Sequence, residues 1–135
     1  MASIHKEILI NAKPEDVWSA VRDFGAVHKR LAPGLVVDTR LDGETRTVSF
    51  SNGVVVQERL IDIDDDVRRV AYSVVKSSPT HHNASMQVFT AGEGRSRFVW
   101  IADLLPDELA ASISSMMDQG SSVIKQTLES NMNSV

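Results

Sequence analysis

The chain contains no cysteine in its 135 residues. That excludes disulfides, thiol nucleophiles and thiolate metal sites. Aromatic residues are scarce, at 5%, so Trp18, Phe24, Tyr72, Phe98 and Trp100 are each expected to matter as core or cavity wall. No run of Lys and Arg occurs, and the formal net charge is -4. Nucleic acid is therefore not expected as a partner, because phosphate binding needs a concentrated basic surface. No apolar run approaches the roughly 20 residues that span a bilayer, so no membrane insertion is expected. The opening Met1 to Glu7 lacks a signal-peptide pattern, which predicts a cytoplasmic location. Low-complexity segments and internal repeats are missing as well.

Catalytic and metal signatures are equally sparse. There is no Gly-x-Ser-x-Gly elbow, no phosphate-binding glycine loop and no His-Glu-x-x-His. His81 and His82 are adjacent in a predicted strand, so they point to opposite faces and cannot both grip one metal. One of them is a candidate for a pocket mouth. Asp62, Asp64, Asp65 and Asp66 lack the spacing, turn glycine and terminal Glu of a calcium loop, and read as a solvated turn. No metal and no cofactor are expected.

What remains is an ordinary globular composition, 42% hydrophobic and 24% charged, which predicts one domain over residues 1–135. The most informative stretch is the end. From Asp107 to about Met132 there is no proline, and Leu109, Ile113, Met116, Met117, Ile124 and Leu128 recur at helical spacing. This predicts one long amphipathic helix. Its middle is soft: Met116 and Met117 are followed by Gly120, Ser121 and Ser122. Methionine adapts to irregular space, and an interior glycine costs about 1 kcal/mol against alanine. Such a helix, laid over a sheet, can leave a cavity beneath it.

Ahead of it, Ile4 to Ile10 reads as a strand. Pro14 opens a helix to about Asp23, with Glu15 and Asp16 at the positive end of its dipole. A second short helix spans about Ala26 to Leu31 and stops at Pro33-Gly34. The period then changes to two. Strands are predicted over Leu35–Leu41, Arg46–Phe50, Val54–Ile63, Val67–Val75, His82–Thr90 and Arg95–Leu104. The turns between them fall at Asp42-Gly43, Asn52-Gly53, Asp64-Asp65-Asp66, Ser77-Ser78-Pro79 and Gly92-Glu93-Gly94. Consecutive hairpins imply an antiparallel sheet with one face to bury, and only the final helix is long enough to cover it. The predicted class is α+β: a seven-stranded curved antiparallel sheet wrapped around a long C-terminal helix, with two short helices after strand 1. Exposed hairpin edges make a homodimer one expected assembly.

This order resembles the helix-grip fold of the START-like superfamily, also called SRPBCC or Bet v 1-like. The segment Ile8-Leu9-Ile10-Asn11-Ala12-Lys13-Pro14-Glu15-Asp16-Val17-Trp18 is similar to the opening of its polyketide cyclase/dehydrase-like branch. Asp23-Phe24-Gly25 matches that branch's bend. Arg46, Asn52-Gly53, Glu58-Arg59-Leu60, Asp64-Asp65, Arg68-Arg69 and Tyr72-Ser73 recur in the same order. The plant abscisic-acid receptors, a distant branch, carry a similar Glu-Arg-Leu strand. Where the branch often has a second tryptophan, this chain has Arg30. The resemblance implies a cavity between sheet and long helix that takes a hydrophobic or amphipathic small molecule, lipid-, hormone- or polyketide-like. A minority of members catalyse cyclisation or dehydration. A vestigial cavity in a protein-interaction module is the third expectation.

The candidate site residues follow. Alternation puts Glu58 on the face of Val54, Val56 and Leu60, and a carboxylate among apolar neighbours needs a partner. Pairing centred on Asn52-Gly53 sets Arg46 opposite Arg59, one residue from Glu58. The pair reads as a structural ion pair, as a polar anchor for a ligand, or as an acid/base site built on Glu58. His28 and Lys29 lie on the second short helix. His28 is the other acid/base candidate. The resemblance implies for Lys29 a cation that meets an acidic ligand group, and the plain reading is an exposed surface residue. Asn83, Ser85 and Gln87 form a polar row that faces either solvent or the cavity, so Ser85 is a candidate lining residue. Trp100 joins the cavity wall, and Met116, Met117 and Gly120 the roof.

Overall fold

In a computed structural model, which describes residues 2–75 and 79–132, the predicted order is present. Strand β1 (Ala2–Ile10) is followed by helix α1 (Pro14–Val21) and a short π-helix (Val27–Leu31). Then come β2 (Val36–Asp42), β3 (Thr45–Phe50), β4 (Val55–Asp64), β5 (Arg69–Val75), β6 (His81–Thr90) and β7 (Ser96–Leu105). A 3₁₀ turn (Asp107–Leu109) leads into helix α2 (Ala110–Met132). All seven strands form one antiparallel sheet in the order β1-β7-β6-β5-β4-β3-β2. The loop expected through Ser77 and Ser78 lies outside the described residues. Among the described residues no helix is long and apolar enough to cross a membrane.

Boundaries differ from expectation where local geometry decides them. α1 ends at Val21, with Arg22 as its C-cap, rather than at Asp23. The second short helix is a π-helix, closed by Ala32 N–H donating to the Val27 carbonyl at 2.8 Å. The β2–β3 turn is Gly43-Glu44, one residue later than expected, with Gly43 at φ 62 and Asp42 opposite Thr45. β5 starts at Arg69, not Val67, because Arg68 takes a positive φ of 54.

The more consequential difference lies at the β3–β4 turn. Phe50 N–H donates to the Val54 carbonyl at 2.8 Å, so residues 51–53 form a three-residue loop with Gly53 at φ 90. A two-residue turn at Asn52-Gly53 would place Arg46 opposite Arg59. The extra loop residue shifts the register by one, and Arg46 pairs directly with Glu58. One residue of slip exchanges every cross-strand partner, so this turn creates the site's central contact.

The inner face of the sheet carries the core. Ile4 and Ile10 of β1, Phe98, Trp100 and Leu104 of β7, Met86 and Val88 of β6, and Val70 and Tyr72 of β5 are buried. Met117, Ile124 and Leu128 of α2 close over them. α2 makes its closest backbone approach to β1 and the π-helix. Polar contacts fix it there. Lys6 pairs with Asp118 at 3.0 Å, Lys125 donates to the Leu9 carbonyl at 2.8 Å, and Asn11 N–H donates to Glu129 at 2.8 Å. Over β3 to β6, side chains and open space separate α2 from the sheet.

The acidic β4–β5 turn does more than meet solvent. Asp65 accepts from Trp18 Nε1 and from Arg22 Nε, both at 2.9 Å, and so ties α1 to the sheet. The Arg22 hydrogen bond first, and the Trp18 bond second, hold its carboxyl below the ordinary aspartate value of 3.8. A carboxylate with a depressed folded pKa stabilises fully above its unfolded value and loses that contribution as pH falls through the folded one. Asp65→Asn is therefore expected to lower stability at neutral pH, with the gap to the parent closing as the solution is acidified below pH 3.8. Urea midpoints measured against pH check this; a gap that stays constant contradicts it.

Candidate functional site

Two neighbouring spaces lie between α2 and the sheet. The inner chamber has a volume of about 60 Å³ and is walled by Arg46, Val48, Tyr72, Met86, Trp100 and Met117 among others. That is room for a few ordered waters or the tip of a ligand. The outer cleft has a volume of about 430 Å³, within the range of small-molecule sites. Its floor includes Val54, Val56 and Val74. Its roof is the first part of α2, with Ser112, Ile113, Ser115, Met116 and Gln119. Leu35, Phe50, Glu58, His82 and Met116 line both spaces and mark where they meet.

The polar end is built by three adjacent strands. Arg46 of β3 and Glu58 of β4 are opposite each other, and Arg46 Nε donates to Glu58 Oε1 at 2.7 Å. Their side chains are only 6% and 11% exposed. Arg46 Nη1 also donates to the Phe24 carbonyl at 3.2 Å. The guanidinium stacks 3.9 Å from the Phe24 ring centroid and 5.0 Å from that of Tyr72. It is thus held by an ion pair, a carbonyl and two aromatic faces. Glu58 Oε2 accepts no hydrogen bond from the described residues, while the side chain lines the cleft.

Tyr72 lies next to this pair. Trp100 Nε1 donates to its hydroxyl at 3.1 Å. Burial first, and the Glu58 charge second, push the phenol well above its ordinary value, so it stays protonated. His82 of β6 lies at the rim. Burial lowers its pKa, although the nearby Glu58 charge pulls the other way. At neutral pH His82 is an uncharged imidazole with one donor and one acceptor.

The expected residues divide clearly. Arg46, Glu58, Trp100, Met116, Met117 and Gly120 all line the inner chamber. Gly120 has a packing reason: a Cβ there would stand 2.9 Å from Trp100 Cζ3. Lys29 is exposed and lines neither space. His28 also lines neither; its Nδ1 is buried without a hydrogen-bond partner. Ser85 is a correction. Ala84, Met86 and Val88 are buried, so alternation sends Asn83, Ser85 and Gln87 to the outer face of the sheet. Ser85 there joins a surface groove with Asn83 and Asp103.

Sequence reasoning did not single out Ser112, Ser115 and Gln119, exposed residues of α2 that edge the outer cleft, and left His82 undivided from His81. The inward alternation of Ala84 and Met86 was the signal that separates the two histidines. Among the described residues no group of three or more His, Cys, Asp and Glu is placed to hold a metal ion.

Among solved structures, the protein XoxI from Bacillus cereus superposes with a TM-score of 0.83 at 21% identity, over 99% of this chain and 97% of that one. A START superfamily protein from Mycobacterium smegmatis gives 0.79 at 10% identity, over 95% and 97%. Norcoclaurine synthase from Thalictrum flavum, in complex with dopamine and hydroxybenzaldehyde, gives 0.69 at 16% identity, over 93% and 84%. At these identities the likeness is one of fold, the helix-grip fold expected from the sequence. No curated protein matches the chain. Residues 1–129 do match a family model described as polyketide cyclase / dehydrase and lipid transport, and the chain belongs to that family.

Proposed function

We propose that this protein binds a small amphipathic molecule, with its apolar body in the outer cleft and its polar group at Glu58 and His82. The observation that carries the reading is the composition of that boundary. Glu58 and His82 line the junction of both spaces, while Leu35, Phe50 and Met116 complete it with apolar surface. A largely apolar concavity with a few convergent polar groups is the usual form of a small-molecule site. Burial of the apolar body supplies most of the affinity, at roughly 25 cal/mol per Å² removed from water. The polar groups set orientation. Membership of a family described by polyketide cyclisation, dehydration and lipid transport fits this use of the cavity.

Nile red, an uncharged apolar dye, tests the cleft directly. It is expected to brighten on binding at one site per chain. Val56→Trp fills the floor and is expected to weaken binding about tenfold or more by overpacking the site while the circular dichroism stays native. Absence of binding, or binding indifferent to Val56→Trp, overturns the reading.

A second reading has its own support: the neutral imidazole of His82 and the Glu58 carboxylate stand at one rim. Two such groups are what an acid/base enzyme of the cyclase or dehydratase type needs. Under this reading Glu58→Gln abolishes turnover of a ligand that it still binds. Under the binding reading no turnover is present to lose.

A further inference from the structure

We propose that the ligand of this cleft presents a hydrogen-bond donor, a hydroxyl or an ammonium group, to Glu58 Oε2, and that carboxylic acids are excluded. This rests on the binding reading above and sharpens it to a chemical class.

Arg46 gives Nε to Glu58 Oε1 and Nη1 to the Phe24 carbonyl, and the Phe24 and Tyr72 rings pack against its guanidinium from two sides at about a right angle. It lines the inner chamber but not the outer cleft. Seen from the cleft, Arg46 therefore stands behind Glu58. The group that faces the ligand is the carboxylate, and one of its oxygens is an open acceptor. A bound molecule that displaces solvent from this oxygen leaves a carboxylate without a donor unless it supplies one, so a donor gains where a mere shape match does not.

The other rim group reinforces the sign. His82 is pushed toward its neutral form by burial, so it adds no positive charge at neutral pH. The remaining polar groups of the outer cleft, Asn52, Ser112, Ser115 and Gln119, are uncharged. Lys29, the cation that the resemblance would have offered to an acidic ligand, is exposed and away from both spaces. A ligand carboxylate at the polar end would meet Glu58 at short range in a partly desolvated site. Like charges there repel, and each loses hydration. A hydroxyl donates without that penalty, and an ammonium adds attraction.

Four probes of one shape separate the possibilities by displacement of Nile red at neutral pH: 4-butylphenol, 4-butylbenzylamine, 4-butylanisole and 4-butylbenzoate. The phenol and the amine are expected to bind about tenfold or more tighter than the anisole, which keeps the oxygen and lacks the donor. The benzoate is expected to be the weakest. In Glu58→Gln the advantage of the amine over the anisole should shrink to within about threefold, because the charged acceptor is gone. The parent series stands alone should that variant not fold. Equal binding of phenol and anisole, or benzoate binding as tightly as phenol, overturns the inference and leaves the cleft reading in place. Failure of Nile red and all four probes overturns both.

Discussion

Replacing Arg46 by alanine is expected to destabilise the fold by about 3–5 kcal/mol, the scale for removing one partner of a buried ion pair. The physical cause is the charge left behind. Glu58 is 9% exposed and receives its hydrogen bond within the protein from Arg46. Without the guanidinium, its carboxylate sits in apolar surroundings unpaired. Phe24 and Tyr72 also lose the cation packed against their rings, and the Phe24 carbonyl loses a donor. The double variant Arg46→Met, Glu58→Met separates charge from packing. It removes both ions and keeps much of the volume, so it should recover most of the loss. Denaturant unfolding of the parent, the single and the double variants gives the comparison. A double variant no more stable than the single one would mean that the pair does not act through charge burial. The same double variant should lose the discrimination between donor and non-donor ligands. An ion pair that served the sheet alone would leave that discrimination untouched.

That contact shows how far the sequence could be read. Strand alternation sufficed to place Glu58 inward, because a carboxylate among Val56 and Leu60 has only one arrangement on a half-buried strand. Alternation is a local property and survives translation into structure. Register is not local. It depended on whether the Asn52-Gly53 turn holds two residues or three, a choice made by the backbone bond from Phe50 to Val54. The same limit explains Ser85. Its row is polar and the opposite row apolar, which alone favours the outer face, but a cavity protein also has inward polar groups. The burial of Ala84, Met86 and Val88 decides it. The cleft itself was least legible. Ser112, Ser115 and Gln119 lie on the exposed polar side of α2, where no sequence pattern marks a residue as edging a cleft. They edge the cleft where α2, fastened toward β1 by Lys6, Lys125 and Glu129, stands off the middle of the sheet. No helical periodicity encodes that offset.

The soft middle of α2 was legible as an anomaly, and the structure supplies its partner in Trp100. Trp100→Ala is expected to cost about 3–5 kcal/mol, as for other buried aromatic truncations. It removes the largest wall of the inner chamber and takes away the donor to Tyr72. The sharper expectation concerns Gly120 in the two backgrounds. With Trp100 present, an added Cβ would stand 2.9 Å from Cζ3 and 3.2 Å from Cη2. The indole cannot easily retreat, since its Nε1 is engaged with Tyr72 at 3.1 Å. Gly120→Ala should then destabilise by about 1–2 kcal/mol, the overpacking strain exceeding the gain in helix propensity. With Trp100 cut to alanine, the strain is gone and the propensity gain remains. Gly120→Ala should then stabilise by about 1 kcal/mol. The change of sign amounts to a coupling well above the roughly 0.5 kcal/mol within which independent sites add. Urea unfolding of the four proteins measures it. If alanine at position 120 has the same effect whether or not the indole is there, the glycine is not kept for Trp100. The inner chamber would then owe its small volume to something other than this contact between α2 and β7.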